Sequence, residues 1–209
     1  MNNAIEIRIA ECEKELNAVF NFRYRIYVEE MNRKQHYADH DQKRIQDPLD
    51  VGAINFAAWR GDELLGVVRV NFPRDSDIGI YEDFYAMRSV GVDHPQCTSI
   101  VTRLMVAPAL RNSRLGLDLS IACYRYGLVC GIKWNFIDCN EHLETFFSTL
   151  GYTAHVPRAV HVEYGLVTRL RLNLHNDAHL TSIRSPFAHV LKEFVATRSD
   201  ALAPILSSE

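Results

Sequence analysis

The sequence predicts a single α/β domain, on three observations. Residues 100–107 are a run of β-formers that Pro108 interrupts, and a helical stretch opens near Arg114, so strand, arginine-bearing loop and helix follow one another directly. Residues 53–59 and 64–72 read as the two strands of a hairpin around Arg60-Gly61-Asp62-Glu63. The 209 residues, 47% hydrophobic and 23% charged, suffice for one well-buried core but are too few for two independent enzymatic domains.

From the N-terminus, residues 6–10 alternate Ile7 and Ile9 with polar residues and predict a short strand. A helix follows over about residues 13–30, where Leu16, Val19, Phe20, Ile26 and Tyr27 fall on one stripe. Arg23 lies in that stripe, and a guanidinium on a buried face requires a carboxylate opposite it. Residues 31–50 are polar and acid-bearing, which predicts a long ordered loop folded over something. Alternation in the second hairpin strand puts Leu65, Val67, Arg69 and Asn71 on one face. A short helix is expected around 81–87, then the central strand, the helix to about Val129, and a strand over 133–138. A further helix over 141–150 ends at Gly151, a suitable C-cap. His161–Gly165 reads as a turn, 167–174 as a closing strand, and Phe187, Val190, Leu191, Phe194 and Val195 as a last helical stripe. These spacings give a domain over 1–190, with 191–209 as helix end and flexible tail.

The net charge of −3 speaks against a nucleic-acid partner. Arginine predominates over lysine, which favours bidentate contacts with carboxylates or phosphates. Five cysteines without a CxxC pair predict free thiols in a reducing compartment. The opening residues are too charged for a secretory signal, and no apolar run reaches membrane-span length, so a cytoplasmic location is expected. His36, His40, Asp39 and Asp41 lack a further ligand, so no metal is expected. Cys139 reads as a buried thiol rather than a nucleophile, and the scattered phenylalanines as core.

A helix that opens just beyond a strand aims free N–H groups and its positive end at one spot, where an anion is stabilised and where Arg111 and Arg114 would add to the effect. The order of elements around this turn resembles the GNAT superfamily of acyltransferases. That family's Q/R-x-x-G-x-G/A signature is similar to Arg111-Asn112-Ser113-Arg114-Leu115-Gly116, with Arg114 replacing the first glycine. A second signature, N-x-x-A-x-x-x-Y-x-x-x-G-F/Y, resembles Asn140 to Tyr152, with Phe147 where the tyrosine acid would stand. Arg23-Tyr24-Arg25-Ile26-Tyr27 followed by Asp47-Pro48-Leu49-Asp50 resembles the R-x-x-V-F…D-x-x-D layout of acyl-homoserine-lactone synthases and their relatives, the N-acyl amino acid synthases. Arg69 and Arg103 fall where those groups keep arginines, and Ile100 stands where the lactone synthases hold a glutamate. Residues 161–165 and 177–187 look most like the N-acyl amino acid synthases.

The resemblance implies a GNAT-like α+β fold with a central mixed, largely antiparallel sheet flanked by helices. It also implies transfer of a fatty acyl group from the phosphopantetheine thioester of an acyl carrier protein to the α-amine of an amino acid. No tightly bound cofactor is implied, and acyl-coenzyme A is the alternative donor. Such a site must align the thioester, supply oxyanion donors and deprotonate the amine. With Ile100 at the glutamate position, Asp47 or Asp50 is the expected base, although either could instead neutralise Arg23, Arg25 or Arg69. Arg23, Arg69 and Arg103 are expected at the amino acid's carboxylate, with Arg103 also near the reaction; a buried salt bridge is the other reading. The backbone of Met105, Val106 and Ala107, with Arg111, Arg114, Gly116 and Asn140, is expected at the donor arm. Three rivals stand beside this reading: a small-acyl coenzyme A transferase, an acyl-homoserine-lactone synthase, and a non-catalytic lipid or carrier binder.

Overall fold

The computed structural model describes residues 4–206, with side chains through Arg198. In chain order the elements are β1 (Glu6–Ile9), α1 (Glu13–Tyr24), which continues as a π-helix over Arg25–Glu30, β2 (Ala38–Asp39), β3 (Arg44–Ile45), β4 (Ile54–Arg60), β5 (Glu63–Asn71) and α2 (Tyr81–Phe84). There follow β6 (Thr98–Val106), α3 (Leu115–Val129), β7 (Trp134–Cys139), α4 (Glu144–Leu150), β8 (Thr153–Ala154), β9 (Ala159–His161), β10 (Gly165–Asn173), α5 (Asp177–Ser182) and α6 (Pro186–Leu206). The large sheet runs β1-β4-β5-β6-β7-β10-β8, with β9 on β10, while β2 and β3 form a separate ribbon. Among the described residues only the β6–β7 pair is parallel, and every other pairing is antiparallel.

Two apolar layers sandwich the sheet. On one face Val19, Phe20, Phe22 and Ile26 of the first helix pack on Ala57, Trp59, Val67 and Met105. On the other, Leu115, Leu119, Cys123 and Leu128 of α3 pack with Phe187, Val190 and Leu191 of α6 against Phe56, Val68, Val70 and Ile137. A third cluster, built on Tyr85, Met87, Ile100 and Phe136, closes the first face beyond the charged cluster described below.

Gly151 caps α4 at φ 112°, as the sequence predicts. A Cβ there would stand 2.6 Å from Leu180 Cδ2, so both backbone and space require glycine. Three expectations need correction. Leu65 does not share a face with Val67 and Arg69: Trp59 pairs with Leu64 and Ala58 with Gly66, so Leu65 is the extra residue of a bulge and packs under α3. The short α5 was not foreseen. The last helix, whose apolar stripe reads in the sequence as far as Val195 with a loose end beyond it, runs from Pro186 to Leu206, and residues 207–209 of the expected tail lie outside the described residues. Among the described residues no helix is long and apolar enough to cross a membrane.

Candidate active site

The site begins where the sheet fails to close. Strands β6 and β7 pair through Thr98–Trp134, Ser99–Asn135 and Ile100–Phe136, and no further pair joins them. Above Ile100 the strands part because β6 carries a bulge. Val67 pairs with Met105 and Arg69 with Thr102, which leaves Arg103 and Leu104 opposite Val68 alone. Arg103 sits at φ 58°, a left-handed conformation that a non-glycine strand residue holds only when its surroundings enforce it. The bulge has a chemical result. Thr102 and Arg103, adjacent in sequence, both reach the same charged cluster, which strict alternation would forbid.

That cluster lies on the α1 face and is neutral overall. Arg23 is fully buried; its Nη1 donates to both oxygens of Asp50 at 2.8 Å and its Nη2 to Asn55 Oδ1 at 2.6 Å. Arg69 donates from Nε to Thr102 Oγ1 at 3.0 Å and from Nη1 to Asp47 at 2.6 Å and Asp50 at 3.0 Å. Arg103 donates to Gln35 at 2.9 Å, Asp47 Oδ2 at 2.7 Å and Glu163 at 3.4 Å. Three guanidiniums thus face three carboxylates, Asp47, Asp50 and Glu163. Asp47 and Asp50 also fold a capping box on the turn Pro48–Asp50, so the loop ties itself down as it neutralises the arginines. Burial alone would raise Asp47, but Arg69 and Arg103 outweigh it and hold the carboxyl at about 2. Burial lowers Arg23 to about 10 despite Asp50.

A cavity of about 650 Å³ runs from this cluster through the gap and into the core behind the sheet. Arg69, Arg103, Tyr27, Tyr81, His161 and Tyr164 line its polar end. Beyond the gap it becomes an apolar tunnel between α3, α4, β7 and β10, walled by Cys123, Ile137, Phe146, Phe147, Leu150 and Leu172. At the outer mouth stand Arg111, Asn112, Ser113 and Gly116, at the start of α3.

The sequence-predicted residues divide cleanly at this cavity. Arg69, Arg103, Met105, Val106, Arg111, Gly116 and Asn140 line it; Arg23, Asp47, Asp50, Ala107 and Arg114 do not. Asp47 and Asp50 therefore stand behind the arginines, and Asp47, held at about 2, is a poor acceptor of an ammonium proton. Ala107 donates its N–H to Leu65 O at 2.8 Å, back into the sheet. Met105, two residues earlier and paired with Val67, points the same way, so Val106 is the one of the three whose amide faces the gap. Arg114 is largely exposed and pairs at 2.8 Å with Asp118 on its own helix, while Arg111 pairs with Glu30. Asn140 spends its amide N–H groups on the carbonyls of Tyr164 (2.9 Å) and Leu166 (3.2 Å), which holds the β9–β10 turn against the cavity.

No protein-family model matches the chain, and no curated protein sequence matches it. Solved structures do match in three dimensions. FeeM, an N-acyl amino acid synthase from uncultured soil microbes, superposes with a TM-score of 0.66 at 16% identity over 87% of this chain and 97% of its own. BjaI, a coenzyme A-dependent acyl-homoserine-lactone synthase, gives 0.69 at 18% identity over 88% and 90%. An acyl-CoA N-acyltransferase from Pseudomonas aeruginosa gives 0.58 at 17% over 81% and 99%. The fold is that of the GNAT-like acyltransferases. Within this GNAT-like frame the cavity also holds residues that sequence reasoning passed over. Arg33 stands 6.0 Å over the Tyr27 ring and 5.7 Å over that of Tyr164, and among the described residues it has no carboxylate partner. His161 stacks on Tyr164 at 4.4 Å; its Nδ1 accepts the Glu163 N–H at 3.1 Å, so the neutral ring carries its proton on Nε2, 3.2 Å from the Tyr81 hydroxyl. Burial holds His161 below its ordinary range and pushes Tyr81 up to about 12. The His161–Gly165 turn, to which the sequence assigns no functional side chain, brings this group to the cavity.

Proposed function

We propose that the protein is an N-acyltransferase that moves a long acyl chain from a phosphopantetheine thioester, presented by an acyl carrier protein, to the α-amine of an amino acid. The observation that carries this reading is the shape of one cavity: polar and cationic at one end, open between β6 and β7 in the middle, apolar and deep at the other. The thioester carbonyl belongs at the gap, where the Val106 N–H lies within the set of donors that a developing oxyanion needs. The acyl chain belongs in the tunnel, where each buried methylene contributes about 0.8 kcal/mol. The pantetheine arm leaves by the mouth at Gly116, where the first N–H groups of α3 and the side chain of Arg111 lie.

At the polar end, Arg103 is fully engaged by Gln35, Asp47 and Glu163, so it orients the cluster rather than binding substrate. Arg33, the cavity arginine without a carboxylate, takes the acceptor's carboxylate, with the Arg69 edge beside it. Asp47 and Asp50 are positioning residues that fix Arg69 and Arg23. Coenzyme A as donor is the second reading, favoured by the likeness to BjaI and by the glycine kept at position 116.

Incubation of the protein with long-chain acyl carrier protein or the matching acyl-coenzyme A, each with a pool of amino acids, tests both readings by mass spectrometry. N-acyl amino acid from the first donor alone is the expected result. Product from coenzyme A alone selects the second reading, and product from neither removes the function.

A further inference from the structure

We infer that Asp138 is the catalytic base that takes the proton from the attacking amine. The inference rests on the acyl transfer proposed above and adds the residue that the chemistry lacked. Among the described residues, Asp138 is the only carboxylate that lines the cavity. It lies on β7 two positions past Phe136, the last residue paired with β6, and so stands beside the gap itself. It has no lysine, arginine or histidine ion pair among the described residues, unlike the three carboxylates of the charged cluster.

Its surroundings suit the task. From the C-cap of α2, Tyr85 donates its hydroxyl to Asp138 Oδ1 at 2.5 Å, and Tyr81 of α2 lies one ring away, 5.8 Å from Tyr85. From β9 comes the neutral His161, from β6 the guanidinium of Arg103, and next along β7 the thiol of Cys139. From β10 comes Arg169, which is registered opposite Asp138 and donates to the carbonyls of Phe84 and Pro157. Burial raises the Asp138 carboxyl from its ordinary value, while the Tyr85 hydrogen bond and the Arg103 charge offset that only in part. A carboxylate raised toward the working pH is a better proton acceptor than one held at about 2.

The step balances without a co-reactant. The substrate ammonium gives one proton to Asp138, and the freed nitrogen lone pair forms the C–N bond as the carbonyl electrons move onto oxygen. The carbonyl re-forms, the C–S bond breaks, and its electron pair leaves on sulfur. The second surplus proton of nitrogen passes to the thiolate, giving the free thiol, and Asp138 returns its proton to water.

Asp138→Asn and Tyr85→Phe, made in the full chain and assayed with long-chain acyl carrier protein and the amino acid that the parent accepts, test the assignment. Asp138→Asn should lower kcat about 10²- to 10⁴-fold, the usual yield of a general base, and abolish the acid limb of the pH–rate profile. Tyr85→Phe removes a hydrogen bond that favours the carboxylate, so that limb should move to higher pH, whereas a merely structural role leaves it in place. Hydroxylamine, which is already unprotonated at neutral pH, should narrow the gap between Asp138→Asn and the parent. The assignment is overturned if Asp138→Asn turns over nearly as fast as the parent with the same acid limb. It is equally overturned, even if Asp138→Asn does not fold, by an unmoved limb in Tyr85→Phe. A parent that acylates no amine removes the acyltransferase reading itself, a result distinct from an active Asp138→Asn.

Discussion

Replacing Asp47 by asparagine keeps the size of the side chain and removes the charge on which two buried arginines converge. Asp47 Oδ1 accepts Arg69 at 2.6 Å and Leu49 N–H at 3.0 Å, and Oδ2 accepts Arg103 at 2.7 Å. An amide would turn an NH₂ group toward one of the guanidiniums, donor against donor. The folded carboxyl sits at about 2 against an ordinary 3.8, a difference that at 1.36 kcal/mol per unit is worth about 2.5 kcal/mol at neutral pH. Stranding buried arginines can bring the loss to about 3–5 kcal/mol. In a chain of this size that lowers Tm by roughly 6–20 °C. The pH dependence has a definite sign. Because the folded value lies below the unfolded one, the contribution is complete above about 4 and fades as pH falls through about 2, with about half remaining near pH 3. Urea denaturation of the parent and Asp47→Asn, followed by circular dichroism between pH 7 and about 3, should show two midpoints that converge on acidification. Equal midpoints at pH 7, or a separation that does not change with pH, would refute the electrostatic account of the cluster.

Arg33→Met should raise KM for the amino acid about 10- to 100-fold with little change in kcat, because a charged hydrogen bond is worth about 1.5–3 kcal/mol; steady-state kinetics with varied acceptor checks it. Cys123→Phe fills part of the tunnel wall, and at about 0.8 kcal/mol per methylene each pair of methylenes excluded should cost about 15-fold in kcat/KM, so competition between acyl donors of different length should shift to the shorter ones. Gly151→Ala combines φ 112° with a Cβ 2.6 Å from Leu180, and should lower stability by about 1–3 kcal/mol in thermal melts, while Leu150→Ile, one residue away on α4, leaves the cap intact.

Strands, principal helices and their order were legible because periodicity and turn chemistry set them locally. Arg23 in an apolar stripe announced a buried partner, and Asp50 supplies it. Bulges were not legible. Leu65 changes face, and Arg103 joins Thr102 on the charged side, through pairings with neighbouring strands that no single strand's pattern reveals. From sequence Asp47 and Asp50 are open as base or counter-ion, and their position behind Arg69 and outside the cavity is what supports the positioning role proposed above. Asp138 carried no signal at all. It lies in an ordinary strand, and what distinguishes it is its place in the cavity without an ion pair among the described residues and the hydrogen bond from Tyr85, 53 residues away.

The parting of β6 from β7 also bears on what can reach its open backbone. Unpaired backbone donors on a strand are an invitation to any passing chain, and proteins commonly blunt them at the rim of a sheet with charge, proline or a covering loop. Here the open stretch of β6 lies in the interior of the sheet order, with β7 and β10 beyond it and α3 across its back. A long flexible arm can reach such an edge, but another folded molecule cannot. Unpaired backbone within a sheet is thereby shielded from the edge-to-edge pairing that an outer strand invites.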